Sequence, residues 1–149
     1  MRIAIAGDHA GFELKQSLAA QLRALGHEVL DLGAHEYHAG DDYPDFAQSV
    51  GRALQAGHAD RGVLVCGSGV GACVAANKMR GVRACLCHDT YSAHQAVEHD
   101  AVNVLCLGAR IVGQALAEEL LKTFLNAQYT AEERHARRLQ KVNAIEKQG

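Results

Sequence analysis

Residues 62–78, GVLVCGSGVGACVAANK, constrain the fold more than any other part of the sequence. Val63–Val65 form a short aliphatic run of the kind found in strands that are buried on both faces. Glycines follow at alternate positions, and residues 70–78 then have the small and apolar composition of a packed helix. A strand, a glycine turn and a helix in this order predict a parallel sheet whose ligand site lies beyond the carboxyl ends of its strands.

The alternation of strand and helix patterns repeats five times along the chain. It predicts an α/β fold: a single Rossmann-like or flavodoxin-like domain over residues 1–149, with a five-stranded parallel sheet, helices on both faces and an extra C-terminal helix. The predicted strands are 2–6, 28–32, 63–66, 83–87 and 104–108. The predicted helices are 12–25, 44–56, 70–78, 91–99, 112–125 and 130–145.

Several helix features have specific sequence signals. The first helix has an apolar stripe consisting of Phe12, Leu14, Leu18, Leu22 and Leu25. Gly26 follows it and predicts a left-handed C′ residue. Thr130 and Glu133 have the spacing of a capping box, which predicts Thr130 as the N-cap of the last helix. Because that helix has few apolar residues, we expect it to lie against a partner subunit.

Composition and charge argue against several classes of function. The net charge of −2 and the pI near 6.5 give no general attraction to nucleic acid or to an anionic membrane. No apolar run reaches the roughly 18 residues of a membrane span, and no signal-peptide pattern opens the sequence. The five cysteines are odd in number and form no CxxC pair, so neither a zinc site nor a disulfide framework is predicted. We therefore expect a cytoplasmic protein with reduced thiols.

Residues with chemically useful side chains follow four of the five predicted strands, and parallel strands bring such residues to one edge of the sheet. They are Asp8, His9, Cys66, His88, Asp89 and Arg110, together with the glycine turn 67–71. A nearby helix N-terminus favours the thiolate form of a cysteine, so Cys66 is a candidate base beside an anion-binding turn. Taken singly, a strand-end cysteine is usually a small core residue, and we expect that role for Cys73, Cys85, Cys87 and Cys106.

Other chemistries fit the spacing less well. A tyrosine phosphatase needs an arginine six residues after its cysteine, where this chain has Ala72. The turn has GxGxG rather than the dinucleotide pattern GxGxxG, although Asp89 keeps nucleotide binding open as a minor alternative. No Gly-Lys-Ser/Thr follows the glycines, which argues against a P-loop. Metal-ligand residue types in the loop after the second strand have no recognised spacing, so we expect a solvated loop there (His35, His38, Asp41 and Asp42).

Five motifs occur in a fixed order along nearly the whole chain. They are Gly7–Phe12, Asp42–Pro44, Cys66–Gly71 with Ala76–Lys78, Asn103–Leu105, and Arg134–Arg138. In this order and at these separations they resemble the motifs of type B ribose-5-phosphate isomerases, whose superfamily also includes the galactose-6-phosphate isomerase subunits. The resemblance implies an aldose–ketose isomerase that acts on a phosphorylated sugar through a cis-enediolate, without a metal or another cofactor.

The resemblance also implies roles for individual residues. Cys66 matches the catalytic base, and Ser68 matches a hydroxyl that passes protons between two substrate oxygens. Asp8 and His99 match groups that assist opening of the furanose ring. The backbone N–H groups of the turn would hold the enediolate oxygen (Gly67, Gly69, Val70 and Gly71).

The implied phosphate ligands are His9, Arg110, Arg134 and Arg138. The resemblance further implies a homodimer, or a tetramer, whose subunits share their active sites. His99, Arg134 and Arg138 would then come from the neighbouring subunit. Asp100 stands at a substrate-binding position where this family usually has Asn, which bears on the preference for a sugar.

Ribose 5-phosphate and ribulose 5-phosphate are the substrate pair that the resemblance favours. A hexose 6-phosphate, such as allose or galactose 6-phosphate, is the enzymatic alternative, because the depth of the pocket rather than the catalytic motif decides between them. From a different functional class, a non-catalytic module that binds a nucleotide or a sugar phosphate remains an alternative at this point.

Overall fold

Strand β3 (Arg61–Cys66) is the centre of the structure, a computed structural model that describes all residues 1–149. It pairs in parallel with β1 (Arg2–Gly7) on one side and with β5 (Val104–Gly108) on the other. The edge strands are β2 (Glu28–Asp31) and β4 (Ala84–Leu86), which gives the strand order β2-β1-β3-β5-β4. The predicted five-stranded parallel sheet is therefore confirmed.

Five of the six α-helices cover the two faces of this sheet, as predicted for an α/β domain, and the sixth packs against the fourth. Their bounds are α1 Phe12–Ala24, α2 Tyr43–Gln55, α3 Val70–Ala76, α4 Thr90–Asp100, α5 Gln114–Asn126 and α6 Glu133–Glu146. Helices α1, α4 and α5 share one core cluster, and α2 and α3 share the other. None of these helices combines the length and the apolar character that crossing a membrane requires.

Alternate residues of the central strands face the two cores. Ile3 and Ile5 join the cluster under α1, α4 and α5, whereas Ala4 and Ala6 face α2 and α3. The small residues on the second face allow close approach, since a Cβ added to Gly62 would lie 2.5 Å from Val50 Cγ1 of α2. Each fully buried aliphatic side chain in these clusters contributes about 1.5–3 kcal/mol relative to exposure.

Helix α1 differs from its predicted apolar stripe at its C-terminal end and contains a buried lysine. Leu18 and Leu22 are fully buried, but Leu25 is 46% exposed at the C-cap. Gly26 has φ +86°, as predicted for a C′ residue. Lys15 is completely buried, and its Nζ lies 3.0 Å from Asp31 Oδ1. Spacing of apolar residues cannot reveal a buried lysine, because its burial depends on a carboxylate from another element.

The predicted capping box of the last helix is wrong. Helix α6 begins at Glu133 with Glu132 at the N-cap, and no side chain caps it. Thr130 instead lies against α4, where its backbone N–H and its Oγ1 donate hydrogen bonds to the carbonyl oxygen of Glu98. The other predicted helices and strands have bounds within two residues of the observed ones. Their periodicity and glycine signals are local, whereas the partner of Thr130 lies 32 residues away.

Candidate active site

The sheet order places a crevice between the carboxyl ends of β1 and β3. The chain leaves β1 toward the β2 edge and leaves β3 toward the β4 edge, so the two connections diverge at this point. Open α/β sheets bind ligands at such a switch point. The turn after β1 contains Asp8 and His9, and the turn after β3 begins at Cys66. The register pairs Cys66 with Gly108, so the segment after β5 lies beside the same crevice.

Cys66 is the last residue of β3 and is 5% exposed. Its Sγ accepts a hydrogen bond from the backbone N–H of Gly69 at 3.2 Å. The backbone carbonyl of Cys66 accepts from the N–H of Ala109 at 2.8 Å, which ties the strand end to the segment after β5. The thiol is therefore fixed on its strand and faces the glycine turn.

The glycines of this turn are required by its close contacts. Gly69 has φ +82°, and a Cβ there would lie 2.5 Å from Leu86 Cδ1 and 2.9 Å from the carbonyl carbon of Leu107. A Cβ on Gly71 would lie 2.6 Å from the ring of Tyr43. Tyr43 therefore covers one side of the turn, a contact that the sequence analysis did not assign. Its only local signal is its position before Pro44 at the start of α2.

Backbone donors in the turn have no partners within the chain. The N–H groups of Gly67, Ser68 and Gly71 make no intramolecular hydrogen bond, and Ser68 Oγ accepts from Val70 N at 3.3 Å. Ser68 and Val70 are exposed at the surface of the turn. Unpaired N–H groups clustered beside a thiol provide donors for a developing oxyanion.

Arg110 reaches the same turn from the segment after β5. Its backbone N–H donates to the Gly67 carbonyl at 3.0 Å, and its Nη1 lies 3.1 Å from the position of a Cβ on Gly67. The guanidinium therefore lies over Gly67 and leaves part of the side chain exposed. The structure thus brings Arg110 and the glycine turn together, as we expected for residues that follow parallel strands at one edge of the sheet.

Asp8 is buried at the start of the turn after β1, with 6% of its surface exposed. Its Oδ1 accepts hydrogen bonds from the backbone N–H groups of Ala10 and Gly11 at 3.0 and 3.1 Å. Gly11 allows this turn to pack directly on β3, because a Cβ there would lie 2.1 Å from the Val65 carbonyl oxygen. Asp8 is thereby held at the mouth of the crevice.

His9 forms an ion pair with Asp41, a residue we expected to be solvated. Asp41 Oδ1 lies 2.7 Å from His9 Nδ1 and accepts from the His9 backbone N–H at 2.9 Å. The hydrogen bond to Asp41 raises the pKa of His9 above its ordinary value, and burial acts in the opposite direction. His35, His38 and Asp42 are exposed as expected, so the loop prediction was wrong for Asp41 alone.

Asp8, His9 and Asp41 place one oxygen or nitrogen atom each within 4.8 Å of one another. Metal sites are built from such groups, but hydrogen bonds within the chain already hold one oxygen atom of each carboxylate. Asp8 Oδ1 accepts two backbone N–H groups, and Asp41 Oδ1 accepts from His9. Hydrogen bonding within the chain accounts for the grouping, and we assign no metal to it.

His99 lies far from Cys66 within one chain. Helix α4 follows β4 and runs back across the sheet, so the nine residue steps from Thr90 to His99 carry the chain about 14 Å away from the carboxyl edge. The His99 ring instead stacks on His135 of α6, with centroids 4.0 Å apart. The candidate residues of the C-terminal part therefore form a second group, separate from the crevice.

The remaining members of this second group are exposed. Asp100 is the last residue of α4, and Arg134 and Arg138 lie on the solvent face of α6. Arg134 Nε is 3.3 Å from a carboxylate oxygen of Glu132. Arg137 pairs with Glu133 at 2.7 Å, whereas Arg138 forms no ion pair. Positive side chains on α6 are thus available to a second molecule rather than to the crevice of their own chain.

His88 and Asp89 have structural partners. His88 Nε2 accepts a hydrogen bond from the Gly108 backbone N–H at 3.1 Å, and Asp89 Oδ1 accepts from Ser92 N at 2.7 Å as the N-cap of α4. The role of Asp89 as a cap gives no support to the nucleotide-binding alternative. Of the four cysteines expected in the core, Cys87 and Cys106 are buried, and Cys73 and Cys85 are partly exposed.

Comparison with known proteins places this chain among sugar-phosphate isomerases. The model of the ribose/galactose isomerase family matches residues 3–142. Ribose-5-phosphate isomerase B of Escherichia coli is 42% identical, over 97% of this chain and 96% of the relative. D-erythrulose-4-phosphate isomerase of Pectobacterium atrosepticum is 39% identical, over 87% of this chain and 85% of the relative. The structure of ribose-5-phosphate isomerase B from Clostridium thermocellum matches with a TM-score of 0.95 and 42% identity over 99% of both chains.

These similarities extend over nearly the whole chain and include the crevice between β1 and β3. The relatives are enzymes, which sets aside the alternative of a non-catalytic binding module. The chain belongs to the ribose/galactose isomerase family, and it is an aldose–ketose isomerase.

Proposed function

We propose that this enzyme interconverts ribose 5-phosphate and ribulose 5-phosphate through a cis-enediolate, with Cys66 as the base. The observation that carries the proposal is the position of the Cys66 thiol. It is held at the carboxyl end of β3, directly beside the unpaired N–H groups of the glycine turn. Isomerisation requires a base next to an oxyanion site, and this turn supplies both.

The proposed reaction begins with the open-chain aldose. The Cys66 thiolate removes the proton from C2, the C–H electron pair forms the C1–C2 double bond, and the carbonyl electrons move to O1. The Ser68 hydroxyl transfers a proton between O1 and O2, and the Cys66 thiol then returns its proton to C1. Atoms and electrons balance within the substrate, and the thiolate is regenerated.

The turn would stabilise the enediolate while negative charge resides on oxygen. Gly67, Ser68 and Gly71 supply N–H groups that form no competing hydrogen bond within the chain. Donors fixed in the backbone need no reorganisation when the charge develops. The Tyr43 ring over Gly71 would limit access of water to this side of the turn.

Ring opening and phosphate binding would require a second subunit. We propose a cytoplasmic homodimer, or a tetramer made of two such dimers, in which the partner contributes its α4 and α6 to each crevice. The separation of His99 from Cys66 within one chain supports this arrangement, as do the exposed guanidinium groups of Arg134 and Arg138. Asp8 in the crevice and His99 from the partner would then open the furanose ring.

The phosphate would be bound by four positive side chains from the two subunits. His9 and Arg110 lie at the crevice, and Arg134 and Arg138 would come from the partner. Arginine forms paired hydrogen bonds with phosphate oxygens, which gives orientation as well as affinity. Asp100 would lie near the sugar and would disfavour substrates that place negative charge close to α4.

Turnover of ribose 5-phosphate in EDTA, with wild type beside Cys66→Ala, is the direct test. We expect wild-type activity and a loss of about 10²–10⁴-fold in kcat for the variant, as for removal of a general base. Cys73→Ala is the matched control, because it removes a thiol from the adjacent helix α3 without touching the crevice. Its kcat should stay near that of the wild type.

The identity of the sugar is tested with the same enzymes. Allose 6-phosphate and galactose 6-phosphate cover the hexose alternative. Erythrulose 4-phosphate should also be assayed, because the relative from Pectobacterium atrosepticum is named for that substrate. A higher kcat/KM for any of these sugars than for ribose 5-phosphate would overturn the assignment of the pentose. A Cys66→Ala enzyme with full activity would overturn the assignment of the base.

A further inference from the structure

The loop after β2 folds back over the turn after β1 and delivers Asp41 to His9. Gly7 N donates to the Gly33 carbonyl and Ala34 N donates to the Gly7 carbonyl, both at 2.8 Å, so the start of the loop is tied to β1. At the other end of the loop, one carboxylate oxygen of Asp41 contacts both the backbone N–H and the ring Nδ1 of His9. A contact between residues 32 positions apart thus fixes the main chain and the imidazole together.

The environment of Asp41 indicates that the pair is charged. The Oδ2 atom of Asp41 is buried and has no hydrogen-bond partner. The only cationic group that pairs with the Asp41 carboxylate is His9, through Oδ1. A buried carboxylate without a compensating positive charge carries a large desolvation cost. The imidazolium form of His9 supplies that charge. A neutral imidazole would leave the buried oxygen uncompensated.

The same contact decides what His9 offers to a ligand. Nδ1 is occupied by Asp41, so only Nε2, on the opposite side of the ring, is available. A neutral ring with its proton on Nδ1 presents a lone pair at Nε2, which repels an anion. The imidazolium presents an N–H there, which binds one.

We propose that Asp41 is a positioning residue that holds His9 as an imidazolium with its Nε2–H directed at the phosphate of the substrate. The inference rests on the proposed function, because it takes the phosphate from the sugar assigned above. It adds a residue of the β2–α2 loop to the machinery of the crevice. Asp41 itself contacts no substrate and acts through His9.

Other charged groups near His9 have opposite effects on its pKa. Asp8 stabilises the positive charge, and the guanidinium of Arg110 opposes it. Glu13 of α1 and Tyr37 line a cavity with His9, and the Tyr37 ring meets the imidazole edge-on at 6.2 Å between centroids. The hydrogen bond to Asp41 is the largest influence, and the pKa of His9 is raised. His9 therefore stays charged to a higher pH than an isolated histidine.

Asp41→Asn is the test variant, because an amide keeps an oxygen acceptor for His9 but removes the charge. Asp42→Asn is the matched control, since Asp42 is the N-cap residue of α2 but its exposed side chain makes no capping hydrogen bond. The first measurement is the NMR titration of the His9 ring in each protein. We expect its pKa to fall in Asp41→Asn and to be unchanged in Asp42→Asn.

The second measurement is binding of inorganic phosphate at pH 7.5, which does not depend on the identity of the sugar. Loss of one charge-assisted hydrogen bond should weaken binding about tenfold in Asp41→Asn. With the true substrate, KM should rise by about as much while kcat changes little, because His9 binds the phosphate rather than the reacting carbons. In a pH profile, the rise of KM with increasing pH should begin at a lower pH in the variant.

The outcomes separate this inference from the proposed function. A wrong sugar assignment leaves the titration and the phosphate binding as predicted. An unchanged His9 titration in Asp41→Asn, or unchanged phosphate affinity, would overturn the role of Asp41 even if ribose 5-phosphate is the substrate. If the Asp41→Asn variant fails to fold, the proposal is tested by phosphate binding to the wild-type protein at increasing pH. A phosphate affinity that stays constant as the pH rises through the pKa of His9 would contradict the proposal.

Discussion

The imidazole ring of His135 stacks on that of His99, with centroids 4.0 Å apart and planes inclined by 27°. His135 is 1% exposed, and its Nδ1 lies 3.1 Å from both Oγ1 and the carbonyl oxygen of Thr130. Since a carbonyl only accepts, Nδ1 carries the proton and Nε2 is left as a buried acceptor without a partner. The stack therefore connects α6 to the C-terminal end of α4.

Replacing His135 with Ala should destabilise the chain and disorder His99. Loss of a fully buried ring and of its bond to Thr130 should cost about 2–4 kcal/mol in the free energy of unfolding. Urea denaturation measures this cost. The Arg137→Ala variant serves as control, because its ion pair with Glu133 lies on the exposed face of α6 and should contribute less than about 1 kcal/mol. Equal midpoints for the two variants would contradict this prediction.

Shared active sites predict complementation between two inactive variants. Cys66→Ala lacks the proposed base, and His99→Asn lacks the group proposed to come from the partner. Random mixing of dimers should produce hybrids with one intact site, and about a quarter of wild-type activity should return. The variants should be mixed under conditions that exchange subunits, and turnover compared before and after. If each site belonged to a single chain, mixing would restore nothing.

Gly69→Ala should severely destabilise the turn beside Cys66. The substitution combines φ +82° with a Cβ that would lie 2.9 Å from the Leu107 carbonyl carbon, and backbone cannot move aside as a flexible side chain can. We expect a loss of about 3 kcal/mol or more in the free energy of unfolding, together with lost activity. Gly113→Ala is the control, because a Cβ there meets nothing within 4 Å. Similar thermal midpoints for both variants would show that the turn is more tolerant than its contacts indicate.

The fold followed from the sequence because its signals are local. Runs such as Val63–Val65 and the glycines after them determine strand, turn and helix without knowledge of distant residues. The grouping of Asp8, Cys66 and Arg110 followed from one topological rule, since parallel strands end at one edge. The sequence did not predict that β5, rather than β4, lies next to β3, because nothing in the sequence of one strand specifies its neighbour in the sheet.

Contacts between distant residues could not be predicted from the same patterns. Asp41 resembled a solvated loop residue until the fold brought it to His9, and Thr130 resembled an N-cap until Glu98 proved to be its partner. Tyr43 gave no sign that its ring covers Gly71. The assignment of His99 to a neighbouring subunit came from the family resemblance, and periodicity alone would have left it on a surface helix.

Lys15 illustrates the energetic importance of a contact that the sequence concealed. Its ammonium group lies within 3.1 Å of both carboxylate oxygens of Asp31, and Asp31 Oδ1 also accepts from Gly33 N. Lys15→Met should cost about 3 kcal/mol, because it leaves a mostly buried carboxylate without its cation. The double variant with Asp31→Asn should recover part of that loss, since the amide removes the charge and still accepts from Gly33. Urea denaturation of both singles and the double measures the coupling, and strictly additive losses would contradict it.

Alkylation at neutral pH should first modify Cys73, which lies outside the proposed machinery. A hydrogen bond from the Cys106 thiol lowers the pKa of Cys73 to about 7, and the Asn77 side chain contributes in the same direction. The thiolate is the reactive form, so the rate of labelling by iodoacetamide at this site should rise with pH and reach half its maximum near that pKa. Peptide mapping by mass spectrometry, with turnover measured in parallel, should show Cys73 labelled before activity is lost. If activity instead falls in step with labelling of Cys73, a thiol other than Cys66 supports the reaction. The same conclusion would follow if the Cys73→Ser variant were inactivated at the wild-type rate while its Cys66 stayed unlabelled.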